Sequence, residues 1–314
     1  MGHEGLVFPP RVLGATITTP PLPFPFDRRW QVSQAVEMAC VLEASAPKVG
    51  NVHPGANFSD MNFAHFVASA VAIGPVFHQS ASYNLGRVVH LAVLATSKHV
   101  GCNTNLGTLL LMAPLAHACQ FLTTNQRLQR ADVARSLNCL QSCDSTDIYA
   151  AIRAARPGGL GTQAQSDVAG PPPADLRTAM AVVAESDAVA RQYVNDFADI
   201  FDLLVPWLQE ELMRVALPLE AICRLQLRWL AHEPDGLIAR KAGADMAAEV
   251  QRRTAAILDV CLHRSAPIAQ QLEVIELDRF LRADGHRRNP GTTADLISAA
   301  ILVLLLQGDD VQSG

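Results

Sequence analysis

Aromatic residues are scarce, 5% of the 314 positions, and no stretch alternates convincingly between apolar and polar residues. Both shortages argue against strands, which favour aromatic and β-branched side chains at a period of two. None of the seven cysteines forms a CxxC pair. Their odd number suits reduced thiols packed among helices better than a disulfide framework. Met1–Pro10 has no apolar stretch behind a basic start, so no secretory leader is expected and the expected compartment is the cytoplasm. The most apolar run, Leu296–Leu306, is about half a membrane span. It reads as a buried C-terminal helix, and no membrane partner is expected. A net charge of -5 offers no basic face, so no nucleic-acid partner is expected either. Walker A, HExxH, GxSxG and GxGxxG patterns are all missing, and the ten histidines show no metal-ligand spacing. His65, His78, His90 and His117 fall in or beside helical segments.

What is present is an alanine- and leucine-rich chain that is 49% apolar and 18% charged, enough for a sizeable core and against global disorder. The expected fold is all-α, a single globular helical domain over 28–308. It is preceded by an extended proline-rich arm (1–27) and followed by a tail (309–314). Helix-like spacing predicts helices over Arg29–Ser45, Ala64–Phe77, Leu85–Ser97, Thr108–Leu122, Asp132–Leu140 and Ser145–Ala155. Further helices are expected over Leu176–Leu204, Pro206–Val215, Pro218–His232, Met246–Leu262 and Pro267–Asp284. Three of these open on proline, which the first helical turn tolerates. Thr108–Leu122 is nearly all apolar and should be central and kinked at Pro114. Arg156–Asp175, rich in proline and glycine, reads as a long loop or lid.

Four polar segments interrupt these helices, a pattern that suggests a site built at helix ends. The first, Ala46–Met61, carries Lys48, Gly50, Asn51, His53 and Asp60. Lys48 is a candidate point charge for phosphate, expected to be dispensable for folding because it sits on a polar loop. Asp60 is a candidate oxygen ligand for magnesium. The second, Gly101–Gly107, offers Asn103, Thr104, Asn105 and Gly107 for hydrogen bonds to a ribose or base edge, or for capping the next helix. The third, Asp235–Gly243, places Arg240 and Lys241 side by side, where an anion would relieve their repulsion; a basic surface turn is the alternative. The fourth, Asn289–Leu296, reads as a helix start. Thr292 is the expected N-cap with Asp295 closing a capping box, and Gly291, Thr292 and Thr293 could present free N–H groups to a phosphate. Asp295 would then tolerate that phosphate through a magnesium ion.

Read as a set, the segments resemble the triphosphoribosyl-dephospho-CoA synthases of citrate lyase and malonate decarboxylase maturation, in a divergent archaeal-type branch. The resemblance is carried by Glu43 followed by Pro47-Lys48 and Gly50; by Asp60-Met61; by Ser69-Ala70; by Asn103-Thr104 with Gly107; by Asp235 before Gly243; and by Pro290-Gly291 with Ala294-Asp295-Leu296. These pieces occur in the family's order across residues 40 to 306. Asn105 and Leu106 stand where the family carries a histidine–lysine pair. Gly236-Leu237 replaces its Thr-Asn, and Thr292-Thr293 its Gly-Ser.

The resemblance implies an all-helical fold and an ATP-dependent transferase. Adenine leaves ATP while the triphosphoribosyl group forms an α-glycosidic bond to an acceptor hydroxyl. Glu43 and Asp60, then Asp235, are the candidates to stabilise the developing positive charge. One of them or His53 would act as base, with Mg²⁺ on Asp60, Asp235 or Asp295. The expected partners are small molecules, ATP and a cofactor precursor such as dephospho-CoA, with a homodimer as the assembly to consider. Two alternatives stand beside this. One is the same chemistry on a tetrahydromethanopterin-type precursor, with ATP or phosphoribosyl pyrophosphate as donor. The other is a non-catalytic nucleotide-binding helical protein.

Overall fold

The computed structural model describes residues 22–123, 126–156 and 170–308. Its helices in chain order are α1 (Val32–Ser45), α2 (Phe63–His78), α3 (Leu85–Val100), α4 (Leu106–Ala118), α5 (Arg130–Asn138), α6 (Ser142–Ala155) and α7 (Leu176–Val183). They continue with α8 (Ala188–Val194), α9 (Val205–Val215), α10 (Pro218–His232), α11 (Gly236–Ala242), α12 (Ala244–His263), α13 (Leu272–Arg282) and α14 (Gly291–Gln307). Among the described residues there is no strand, only an isolated bridge between His53 and Ala56. The fold is all-α, as the composition and periodicity imply.

Two helices without a polar face organise the core. α14 is buried from Thr292 to Leu306 except at Ala294 and Asp295, and α4 is buried along most of its length. A helix that is apolar all round must be enclosed by others. Accordingly α14 packs against α1, α4, α8, α9, α10 and α11. Around this centre α1, α2, α3 and α6 pack in succession on one side, and α10 carries α12 on the other. The described end of the N-terminal arm and the residues after it are fixed to the same core: Phe26 is buried, and the Trp30 backbone N–H donates to the Leu305 carbonyl at 3.0 Å. None of the helices among the described residues is long and apolar enough to cross a membrane.

Helix boundaries follow local chemistry. Asn62 caps α2 in a reciprocal box with His65, Asn84 caps α3, and Gly101 ends α3 at φ +77°, a conformation glycine adopts without strain. Pro218 opens α10 as expected. The long helix expected over Leu176–Leu204 is instead divided. Asp187 turns back to accept from the amides of Val189 and Ala190 and starts α8. Asp196 and Phe197 then take left-handed backbone at φ 54° and 63° before a short π-helical stretch, Asp199–Leu204. Apolar periodicity passes through such breaks because both flanking pieces face the same core. Pro267 precedes a short 3₁₀ turn, with α13 opening at Leu272. Of the lid segment expected at Arg156–Asp175, residues 157–169 lie outside the described residues, as do the tail 309–314 and residues 1–21 of the arm.

Candidate functional site

The four polar segments meet where α1 ends and where α4, α11 and α14 begin. The first segment is held from both sides. Gln226 of α10 accepts from the Val49 amide at 2.8 Å and donates to the Val49 carbonyl at 2.9 Å and the Asn51 side chain at 2.8 Å. Asn51 donates to Asn289 at 2.6 Å, joining the first segment to the fourth. Gly50 sits at φ +71°, where an added Cβ would lie 2.9 Å from the Pro290 ring. Only glycine allows this approach. Just past the second segment, the Thr108 hydroxyl in α4 donates to Asp295 of the fourth at 2.6 Å. The second segment joins α2 through Ser69 and Thr104, 2.5 Å apart. Asn103 accepts from the amides of Asn105 and Leu106 and starts α4. Asn105 is tied to Thr96 at 3.1 Å.

The third segment departs from its expected form. It is a short helix, α11, and not a loop; Asp235 makes it one by accepting from Leu237 and Ile238 at 2.8 and 3.0 Å. The same carboxylate accepts from the amide and hydroxyl of Thr293 at 2.7 and 2.8 Å. Burial raises the Asp235 pKa, and these donors oppose the rise. The capping box expected between Thr292 and Asp295 does not form. α14 starts at Gly291 with no side-chain cap of its own, so Thr292 and Asp295 are inside the helix. Its cap comes across space from Asp235, 58 residues away in sequence, which a local motif cannot foresee. The Gly291 amide is also committed, to the Asn289 carbonyl, so two of the amides expected to face a phosphate are taken.

A small cavity of about 20 Å³ opens between these elements, lined by Cys40, Glu43, Phe66, Ser69, Ala70, Thr104, Asn105, Thr108 and Ser298. Glu43 is the carboxylate on its wall. Behind Glu43 stands Lys48, 1% exposed, with Nζ 2.8 Å from Oε1. Lys48 is therefore no surface cation on a polar loop, which removes the ground for expecting folding to be indifferent to its loss: taking it away would strand a buried carboxylate. Asp295 is half-buried next to Thr108. Its pKa is pushed up to about 7, chiefly by burial and further by Glu43, Asp235 and Asp187, against the Thr108 hydrogen bond.

Asp60 is not among the residues that line this cavity. Its side chain is 59% exposed, with His286 at 3.5 Å, and its field reaches Cys102 and Lys241. Of the three cations expected to meet phosphate, Lys48 is paired with Glu43 and Arg240 with Asp187 at 2.6 Å. Lys241 is half-buried, and burial lowers its pKa against the pull of Asp60. His53 accepts from the Gly55 amide; burial, then Arg282, lowers its pKa. Among the described residues no three His, Cys, Asp or Glu side chains gather as metal ligands. The sequence reading missed Cys40 and Ser298, each one helical turn from a residue it chose (Glu43 and Asp295). Helical spacing would have found them. It also missed His286 and Asp187, which carry no local signal.

Residues 29–313 match the family model described as ATP:dephospho-CoA triphosphoribosyl transferase. Among solved structures, a proposed triphosphoribosyl-dephospho-CoA synthase from Archaeoglobus fulgidus is similar, with a TM-score of 0.56 and 23% identity over 77% of this chain and 99% of that one. At that identity the likeness speaks for the fold. No curated protein matches the chain.

Proposed function

Because the chain belongs to the ATP:dephospho-CoA triphosphoribosyl transferase family, we propose that it moves the triphosphoribosyl group of ATP to the hydroxyl of dephospho-CoA, with release of adenine. The observation that carries this reading is the family match across nearly the whole chain, joined to a cavity between α1, α2, α4 and α14 that Glu43 and the second polar segment line. In the reaction the bond from ribose C1′ to adenine N9 breaks and adenine keeps the electron pair. The acceptor oxygen bonds to C1′ and gives up its proton. Passing from a β-nucleotide to an α-glycoside inverts C1′, so donor base and acceptor occupy opposite faces of the ribose.

Positive charge accumulates on the ribose ring as adenine leaves, and a preorganised carboxylate stabilises it. Glu43 suits this task better than Asp60, because it lines the cavity while Asp60 faces solvent. Ser69, Thr104, Asn105 and Phe66 line the same cavity; its roughly 20 Å³ holds about one water, so hydrogen bonds from these groups to ribose or base require it to open when the donor binds. With Lys48 and Arg240 committed elsewhere, the donor phosphates fall to Lys241 and His286 at the outer edge, beside Asp60. Magnesium fits there as an ion carried by the phosphates and touched by Asp60, since such ions need only one or two protein carboxylates. It would offset phosphate charge. Asp235 is too fully engaged by four donors to serve as its ligand.

The test is adenine formation from ATP, followed by chromatography with and without dephospho-CoA, with the coupled product identified by mass. Acceptor-dependent adenine release is expected. Turnover with a different acceptor alcohol would keep the chemistry and replace the acceptor. The replacement of the family's histidine–lysine pair by Asn105 and Leu106, both buried here, favours including a pterin-type precursor and phosphoribosyl pyrophosphate among the trials. ATP binding without adenine release in the presence of any acceptor would leave the non-catalytic reading.

A further inference from the structure

Lys48 lies on the segment that begins the site, yet its charge does not face the outer edge where phosphates would enter. Its position is fixed at every level. The backbone makes a tight turn, with the Lys48 amide donating to the Ala46 carbonyl at 2.7 Å and the Asn51 amide to the Lys48 carbonyl at 3.3 Å. Gln226 clamps the next residue on both its polar groups. The side chain then runs back to the last turn of α1, where the ammonium donates to the Glu43 carboxylate at 2.8 Å and also to the Glu43 backbone carbonyl. The Lys48 side chain is 0% exposed and that of Glu43 10%. One cation thus holds both ends of one glutamate and is not itself among the residues that line the cavity. Holding a carboxylate in a buried wall is costly without such a partner, and Glu43 is the one carboxylate among the residues lining that cavity.

We propose that Lys48 is a positioning residue, which fixes the Glu43 carboxylate against the cavity and stabilises its charge there, and that it does not bind the donor's phosphates. The proposal rests on the transferase reading and sharpens it: two residues that sequence reasoning places in different roles form one unit. Lys48 acts on the transition state only through Glu43. A phosphate ligand would act on donor binding, and would do so whatever stands at position 43.

The experiment compares Lys48→Met, which keeps length and apolar body while removing charge, with Glu43→Gln and with the double variant, in the full chain. Adenine release from ATP with dephospho-CoA gives kcat and KM, and calorimetry gives ATP affinity without turnover. Lys48→Met is expected to lower kcat about a hundredfold, the usual scale for a lost transition-state charge interaction. KM and affinity for ATP should stay within about threefold, as for loss of an interaction made only in the transition state. In the Glu43→Gln background the same change should lower kcat no further, because coupled residues are not additive. The double variant also removes the stranded carboxylate, so its melting temperature should recover toward wild type while its rate does not. This keeps the comparison readable if Lys48→Met alone folds poorly. A rise in KM and a tenfold or greater loss of ATP affinity, with kcat retained, would overturn the proposal and leave the transferase reading standing. Independent, multiplying effects of the two substitutions on kcat would overturn it as well. Wild-type protein that binds ATP but releases no adenine whatever acceptor is supplied overturns the reading beneath it, and the proposal with it.

Discussion

Replacing Asp235 by alanine should be among the most damaging single changes in the molecule, although the residue contacts no predicted substrate atom. The carboxylate is 2% exposed and accepts four hydrogen bonds, from Leu237, Ile238 and both donors of Thr293, between 2.7 and 3.0 Å. Alanine removes the cap of α11, about 1 kcal/mol by itself. It also leaves buried donors at Ile238 and Thr293 without an acceptor, at about 1–3 kcal/mol each. Since these terms overlap, a total of about 3–5 kcal/mol is expected, a large share of a typical stability of about 5–15 kcal/mol. α11 has seven residues, too few to persist without tertiary support, so Lys241 should lose its place as well. Serine at 235 can still cap α11 but cannot also reach Thr293, and should recover about 1 kcal/mol. Urea unfolding followed by circular dichroism measures both variants. A loss below about 1 kcal/mol for Asp235→Ala would show that the burial penalty on this carboxylate cancels its hydrogen bonds, and the account of how α11 is held would be wrong.

The two leading carboxylates should separate kinetically: Glu43→Gln lowers kcat for adenine release by about a hundredfold, whereas Asp60→Asn mainly raises the KM for ATP. Steady-state assays of both variants check this. Asp295 has a folded pKa near 7 against 3.8 for the free group, so its carboxyl favours folding fully below about pH 4, and that contribution is lost as pH rises through 7. Asp295→Asn should therefore be more stable than wild type by about 2–4 kcal/mol at pH 8, with no gain at pH 4, as read from urea melts at the two pH values. Arg224 is 2% exposed, with Nε 2.6 Å from Glu211. Glu211 keeps Arg228 at 3.1 Å, so Arg224→Met should cost about 1–3 kcal/mol, and adding Glu211→Leu, which takes that partner from Arg228, should cost more, as read from thermal unfolding.

The helices were legible because their apolar residues recur at the helical period and their ends carry local signals. Asn62, Asn84 and Pro218 act within four residues of where they stand, so a linear reading finds them. The buried character of α4 and α14 was legible for a related reason: a helix with no polar side has nowhere to go but the centre. Failures occurred where a boundary is set from a distance or by one backbone conformation. Nothing near Thr293 announces that Asp235 will cap it. Nothing at Phe197 requires the left-handed turn that divides α8 from the π-helical stretch. Periodicity reports which face is apolar, and it survives a break that leaves both pieces on the same core.

The site was legible as a set of segments and illegible as a set of roles, for one physical reason. Residue type fixes what a group can do; burial and partners decide what it does. Lys48, Arg240 and Lys241 are equivalent on paper as cations beside glycines. In the fold the first is enclosed against Glu43, the second is neutralised by Asp187, and the third stands half-buried within reach of the Asp60 field. The carboxylates divide in the same way. Asp235 is spent on holding two helix starts, Asp295 is half-buried and prone to hold a proton, Asp60 is in solvent, and Glu43 lines the cavity with a cation behind it. A single buried partner thus turns Glu43, one of several candidate acids and placed near the end of α1, into the one whose position best fits charge stabilisation at C1′.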